Sequence, residues 1–357
     1  MNWSPNYPRR VPAQRPAGFE PRAPRWSAAY ESPMTAMTSD YIAVQTENRD
    51  DPATAAFLRL VESSADEASA HAPASSELLH TTDADGTWNT VFVGYWTDPT
   101  AHARWFAQSP LGTWFRGIDP VAAAFGAWRE VIEVPLERLE TVYSSPTREF
   151  GLAACAGISL DPITSNGYFG AARDRMPISA IDSLDAPVEY PRRAGSTSSR
   201  GRRLRAELGL NVCAIRSGQY WKGATGEQLE DYESRLEPYL MRGMAYLASN
   251  QETTGTLSLR ILRSGTGGEE RPTRETSVLG YFRSLDDLES WASGHPTHHA
   301  IHQHAIEKNR QYGDDRTVTT WHEVFVLPES GIFEYVNCAP STGVLPFARQ
   351  LWALSDD

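Results

Sequence analysis

Residues 294–304 could carry metal chemistry, because they contain five of the nine histidines in the chain: His295, His298, His299, His302 and His304. Neutral imidazole is the commonest metal ligand and also titrates near neutral pH. This concentration therefore has two interpretations. One is a metal or haem-iron site, and the other is a solvated helix face that is rich in histidine.

Helical geometry limits how many of these side chains can converge. His298 and His302 stand four residues apart, so they share one helical face. His295 precedes a proline and is better placed to cap a helix, while His299 and His304 point in other directions. A zinc site built from this helix alone is geometrically awkward, whereas an axial haem ligand requires only one inward-facing histidine.

An internal repeat indicates which elements position this stretch. Residues 93–96, 105 and 110 recur as residues 279–282, 291 and 296, at an offset of 186. Residues 128–131 recur as residues 321–324, at an offset of 193. Two blocks in the same order indicate a duplication.

Apolar periodicity predicts the elements of each half. In the first half it predicts strands at 41–45, 78–82 and 87–96 and a helix at 52–64 that Asp51 caps. In the second half it predicts strands at 211–216, 255–263, 275–282 and 317–327. Helices are predicted there at 225–249 and at 284–311, the latter interrupted near Pro296.

The second half thus has the β-α-β-β-α-β order of a ferredoxin-like unit, the repeat extends this order to the first half, and the fold class is α+β. Each antiparallel sheet has helices on one face, so the two sheets are expected to pack together or curl into a barrel of the dimeric α+β type. Such a fold encloses a space between sheet and helices. The predicted segments are an extended or disordered arm at 1–38, a first half at 39–145, a connecting segment at 146–210, a second half at 211–340 and a tail at 341–357.

A duplicated fold reveals function where its halves differ. The second half has His298 where the first has Gly112, and His322 where the first has Arg129. His298 is therefore the functional candidate of its stretch, and the other four histidines are expected to be capping or surface residues. For His322, which lies in a predicted strand, the alternative is a structural histidine with satisfied hydrogen bonds.

Composition excludes several classes of partner. A net charge of -12 argues against nucleic acid. No apolar run reaches the length of a membrane span. The three cysteines are widely spaced and odd in number, which favours free thiols in a reducing compartment. We expect a cytoplasmic protein in which the basic residues 192–205 form a flexible, solvated loop.

Five motifs together carry a family resemblance. They are V-G-Y-W at 93–96, R-x-R-x-P-I-S at 173–179, I-R-S-G-Q-x-W at 215–221, S-x-H-P-T-H at 293–298 and H-E-V at 322–324. In this order and spacing they resemble the haem-containing aldoxime dehydratases. The resemblance runs from about residue 40 towards the C-terminus and covers both halves.

The resemblance implies dehydration of an alkyl- or arylaldoxime to a nitrile on haem b, with the iron ferrous in the active state and the haem between sheet and helices. It makes His298 the axial ligand of the haem iron. It also assigns catalytic roles to His322, Ser217, Arg175 and Glu140, and it suggests a homodimer.

Three alternatives remain open. The first is another haem enzyme on the same scaffold, of the peroxidase or chlorite-decomposing type, which would keep His298 without needing the pair of Ser217 and His322. The second is a non-enzymatic haem-binding or haem-storage protein. The third is a protein without haem, in which the histidines form a solvated face.

Overall fold

The structure is a computed structural model that describes residues 6–31, 34–65, 71–186, 198–265, 275–329, 331–340 and 342–353. Its N-terminal part comprises β1 (Arg25–Tyr30), β2 (Ala36–Thr46), α1 (Pro52–Ser64), β3 (Ser75–Thr82), β4 (Trp88–Trp96), α2 (Pro99–Gln108), α3 (Pro110–Arg116) and β5 (Gly126–Pro135). The connecting part comprises β6 (Leu139–Tyr143), β7 (Ile158–Ile163), α4 (Ala171–Arg175) and β8 (Arg203–Glu207).

The C-terminal part begins with β9 (Cys213–Tyr220). A long helical segment follows, with α5 (Gly226–Asp231), a π-helical turn (Tyr232–Leu236), α6 (Glu237–Ser249) and α7 (Gln251–Thr254). The remaining elements are β10 (Thr256–Ser264), β11 (Glu275–Phe282), α8 (Leu285–Gly294), α9 (Pro296–Tyr312), β12 (Thr319–Val326), β13 (Ile332–Val336) and β14 (Gln350–Ala353). No helix among the described residues is both long and apolar enough to span a bilayer.

The strands form one antiparallel sheet in the order β14-β8-β13-β5-β2-β4-β3-β10-β11-β9-β12-β6-β1-β7. Its centre consists of two four-stranded units, β5-β2-β4-β3 and β10-β11-β9-β12, which meet where Arg263 pairs with His80. The second unit repeats the order of the first in reverse, as expected if a two-fold operation relates them.

The sheet is not closed, so closure into a barrel was a wrong expectation: within the described part of the chain its two ends, β14 and β7, do not pair. The outer strands of the two units are β5 and β12, and each has its second edge occupied by a further strand. Strand β13 pairs with β5 and β6 pairs with β12. Because their backbone groups are already bonded, β5 and β12 have no free edge with which to close a barrel.

Because side chains alternate along each strand, the two faces of the sheet belong to different hydrophobic cores. One face of both units contributes to a shared cluster that includes Tyr41, Trp128, Tyr281 and Phe325. The opposite faces are covered by helices. Helices α1 to α3 cover the first unit, and α6, α8 and α9 cover the second.

Two helix starts follow directly from the sequence. The Asp51 side chain accepts a hydrogen bond from the N–H of Ala53, with Pro52 at the first helical position, so the predicted start of α1 is confirmed. The predicted break near Pro296 is also confirmed, since α8 ends at Gly294 and α9 begins at Pro296. His295 caps α9 by accepting from the N–H of Thr297.

The strands that sequence reasoning missed lie in the outer parts of the sheet. Strand β1 lies in the segment expected to be an arm, where it pairs with β7. Strand β8 falls within the basic stretch expected to be a solvated loop, so that expectation was wrong for 203–205, while 192–197 lie outside the described residues. These strands are short. They are stabilised by pairing with neighbouring strands, and their own sequences are too weakly periodic to predict them.

Candidate functional site

A cavity of about 340 Å³ lies between the second four-stranded unit and its helices. Its walls come from β9, β11 and β12 on the sheet side and from α6, α8 and α9 on the helix side. Most of the lining is aliphatic or aromatic, including Ile215, Leu240, Met244, Val278 and Phe282. The volume and the apolar lining are typical of a pocket for a small molecule or cofactor.

His298 lines this cavity from α9. Its Nδ1 atom is buried and makes no hydrogen bond, although the ring as a whole keeps some exposure to the cavity. Burial, with a smaller contribution from the nearby His302, lowers its pKa to about 4, and the backbone of Ala292 opposes the shift only in part. The imidazole is therefore neutral at pH 7, as a metal ligand must be.

The other four histidines of the stretch were expected to be capping or surface residues, and the structure agrees for some of them and not for others. His295 is the expected helix cap. His299 bonds through Nε2 to the carbonyl of Ser293 at 2.7 Å. His302 was expected at the surface or in a cap but lines the cavity. His304 was also expected there, but it is buried, with Nε2 2.8 Å from Oδ2 of Asp231. Both corrections arise because α5, α6 and the cavity cover faces of α9 that a solvated helix would expose.

Ser217 and His322 line the cavity from the sheet side. They are direct partners on the antiparallel strands β9 and β12, so their side chains stand on the same face. The Ser217 hydroxyl donates to the carbonyl of Trp321 at 3.3 Å. Ser217 thus lies within a strand rather than in a turn, and it faces the helix that carries His298 across the cavity.

Glu140 and Arg175 form a charged cluster with His322. Glu140 lies on β6 and is fully buried, and its Oε2 accepts from Nε of Arg175 at 2.6 Å. Its Oε1 lies 2.9 Å from Nε2 of His322, which is a close electrostatic contact. Arg175 also places Nη2 3.4 Å from that imidazole nitrogen and donates through Nη1 to the carbonyl of Ser165.

The charge state of Glu140 follows from these contacts. Burial alone would raise its pKa, but the guanidinium of Arg175 and the imidazole of His322 overcome this, and the pKa lies below its ordinary value. The carboxylate is therefore ionised at neutral pH. The buried anion thus holds both the Arg175 guanidinium and the His322 ring at the wall of the cavity.

In the first half, the position that corresponds to His298 has no space for a side chain. The carboxylate of Asp40 binds Arg129 and His102, at 2.8 Å in each case, and Arg129 lies 3.3 Å from the centre of the Phe106 ring. A Cβ added at Gly112, the counterpart of His298, would lie 1.9 Å from the Phe106 carbonyl oxygen. The two halves thus differ in packing as well as in residue type.

The residues present fit a haem. The helix wall offers a neutral imidazole that lines the cavity, and the cavity between it and the sheet is largely apolar. No group of three His, Cys, Asp or Glu side chains suited to a metal ion occurs in the described part of the chain. One axial histidine in an apolar cavity is the arrangement by which proteins commonly hold haem iron.

Comparison with known proteins identifies the family. The sequence model of the haem-containing dehydratases matches residues 40–344. The chain belongs to this family. It is 31% identical to phenylacetaldoxime dehydratase of Bacillus sp. (strain OxB-1), covering 93% of each chain, and 32% identical to the aliphatic aldoxime dehydratase of Pseudomonas chlororaphis, covering 95% of each. Haem is therefore the cofactor, and the protein is a dehydratase.

Solved structures agree with the sequence comparison for this dehydratase. A crystal structure of an aldoxime dehydratase superimposes with a TM-score of 0.86 at 31% identity, covering 96% of each chain. A second, co-crystallised with butyraldoxime, gives 0.85 at 30% identity and covers 96% of this chain and 94% of that one. The resemblance seen in the five motifs is thus confirmed over nearly the whole fold.

Sequence reasoning missed part of the cavity wall of this dehydratase. Arg22, Ala23 and Arg25 line it from the N-terminal segment, and residues 166–172 line it from the connecting segment. Motifs provided no signal for the N-terminal residues. The composition did provide one, because several arginines occur early in an otherwise acidic chain.

Proposed function

We propose that this protein dehydrates an aldoxime, R-CH=N-OH, to the nitrile and water, with haem b in the cavity and His298 as its axial ligand. The observation that carries the proposal is that His298 and the pair of Ser217 and His322 face one apolar cavity from opposite walls. The names of the relatives support the substrate class. They include both an arylalkyl and aliphatic aldoxime dehydratases, so the proposed substrates are aldoximes in general.

Bound ferrous haem would supply a binding position for the oxime nitrogen and electron density for cleavage of the N–O bond. The protein must then hold the hydroxyl group and provide a proton, because hydroxide is a poor leaving group. Arg175 and Ser217 hold the hydroxyl near His322, which fixes the direction of the N–O bond. The anionic Glu140 holds Arg175 and contacts His322, so it positions both side chains.

His322 performs two proton transfers in this proposal. As an imidazolium it donates a proton to the oxime hydroxyl, which leaves as water. The neutral ring then accepts the proton of the aldoxime C–H group as the nitrile forms, so the residue returns to its starting state. Positioned acid–base catalysis of this kind is typically worth about 10²–10⁴-fold in rate.

Further features belong to the same proposal. The strand orders β5-β2-β4-β3 and β10-β11-β9-β12 support two ferredoxin-like units derived by duplication, within segments divided near residues 38, 145, 210 and 340. We also propose a homodimer, as the resemblance suggests, and a location in the cytoplasm, which the odd number of widely spaced cysteines favours.

The test compares haem ligation with turnover. Dithionite-reduced protein should convert phenylacetaldoxime and butyraldoxime to nitriles, while the ferric protein should do so poorly. His298→Ala should lose the histidine-ligated Soret spectrum, and the matched control His299→Ala should keep it, because His299 bonds to a backbone carbonyl. A normal spectrum in His298→Ala and its loss in His299→Ala would reject the assignment of the ligand. Peroxidase or chlorite-decomposing activity without nitrile formation would reject the proposed reaction.

A further inference from the structure

The cavity is lined by more positive than negative charge. Three arginines and one carboxylate belong to its lining, namely Arg22, Arg25, Arg175 and Glu289. The carboxylate is already bound, because Nε of Arg173 lies 3.0 Å from Oε2 of Glu289. Arg175 is likewise bound to the buried glutamate of β6. Two arginines at the cavity are therefore not neutralised.

Arg25 opens strand β1, whose pairing with β7 fixes its position opposite Ile163. Its side chain is partly buried and donates through Nη1 to the carbonyl of Pro24 at 2.8 Å. No carboxylate of the described residues lies within ion-pair distance of it. Burial, together with the charge of Arg175, lowers its pKa to about 10. Even so, the guanidinium remains charged at pH 7.

Arg22 lies three residues earlier and is exposed, also without an ion pair among the residues that the structure describes. Both arginines are near the haem-facing side of α9. Burial lowers the pKa of His302 first, and the charges of Arg25, His299 and Arg22 lower it further. His302 is one helical turn from His298, and both histidines line the same cavity as the two arginines.

We infer that Arg22 and Arg25 bind the two propionate carboxylates of the haem, which makes the N-terminal arm part of the haem site. Haem has a largely apolar body with two carboxylates on one edge, and this matches a largely apolar cavity whose lining includes two guanidinium groups without an ion pair among the described residues. The inference rests on the proposed placement of the haem.

The arm is held in place by its own contacts. The backbone N–H groups of Gln14 and Arg15 donate to the carboxylate of Asp174 at 2.9 Å, and the N–H of Arg10 donates to the carbonyl of Ala180 at 2.6 Å. These bonds, together with the pairing of β1 from Arg25 onwards, hold both ends of the segment that contains Arg22 before haem binds. Both proposed propionate ligands lie outside residues 40–344, the part matched by the family model.

The experiment measures the rate of haem transfer to an excess of a haem-scavenging protein. We compare the wild type with Arg22→Ala, Arg25→Ala and the double variant, each loaded with haem or with haem dimethyl ester. Each single variant should release haem roughly tenfold faster, as expected for one lost charge-assisted contact. The ester has no carboxylates, so its transfer rate should not change. Arg10→Ala removes an exposed arginine of the same arm that does not line the cavity, and it should leave both rates unchanged.

Two outcomes would overturn the inference while the haem placement stands. One is release of haem from the double variant at the wild-type rate. The other is faster release of haem and ester by the same factor, which would mean that the arginines act through arm packing. The haem placement is judged separately, by loss of the histidine-ligated spectrum in His298→Ala. If that spectrum persists, the placement is wrong and the inference falls with it.

Discussion

Replacing Glu140 by Gln removes one negative charge from the centre of the proposed site while keeping the side-chain shape. The carboxylate is fully buried and Arg175 is only 8% exposed, with 2.6 Å between Nε and Oε2. Removing one partner of a buried pair typically costs about 3–5 kcal/mol of unfolding free energy, because the other charge stays buried without compensation. The amide can still accept one hydrogen bond from Arg175, so we expect about 3 kcal/mol.

This loss should depend on pH in a defined direction. The pKa of Glu140 is lowered in the folded protein from its ordinary value of 4.5. Its ionised form therefore contributes stability that is fully present above pH 4.5 and is lost as the pH falls through the lowered folded value. The difference between wild type and Glu140→Gln should be constant near neutral pH and shrink below pH 4.5. Urea denaturation of the wild type and the variant at several pH values measures it.

Turnover should respond separately from stability. Without the anion Arg175 and His322 lose the carboxylate that positions them, so nitrile formation should fall by about ten- to a hundredfold, within the range of a positioned acid. The Soret spectrum should stay unchanged, because Glu140 does not line the cavity. Glu137→Gln is the matched control, since Glu137 is partly exposed and forms no ion pair among the described residues. Equal stability and equal turnover in Glu140→Gln would refute the electrostatic reasoning.

Three further substitutions test one residue of the second half and two residues of the first half. His322→Ala should keep the haem spectrum and lose about 10²–10⁴-fold in nitrile formation at saturating aldoxime; undiminished turnover would reject its proton-transfer role. Asp40→Asn leaves Arg129 buried without its anion, so calorimetry should detect a loss of about 3–5 kcal/mol, with an unchanged Soret spectrum because the site lies in the other half. Gly112→Ala forces a Cβ to within 1.9 Å of a carbonyl oxygen, so we expect a loss of about 1–3 kcal/mol from overpacking. Its control, Gly294→Ala, meets open space, and an equal loss in both would contradict this explanation.

Many local elements could be predicted from the sequence because their causes are local. Asp51 followed by Pro52 specifies the start of α1, and Pro296 specifies the break between α8 and α9. Alternation placed His322 in a strand, and the repeat showed that His298 replaces a glycine. The family resemblance added Glu140, Ser217 and Arg175, which no local pattern singles out.

The outer strands and the second wall of the cavity depend on tertiary structure. Strand β1 is short, and its pairing with β7 rather than its own periodicity defines it. Periodicity reveals which face of a helix is apolar but not which element covers it, so His302 and His304 were expected at the surface. The same limit hid Arg22 and Arg25, whose position depends on how the arm docks.

The central strands, most of the longer helices, an internal repeat and the family could all be read from the sequence. The open sheet depends on tertiary packing, because β13 and β6 occupy the edges that closure would need. The packing also specifies which charges meet: Glu140, Arg175 and His322 come from three distant segments, and the contacts of Glu140 with the other two form only once those segments pack. Electrostatic coupling depends on distance and burial in space, and separation along the chain specifies neither.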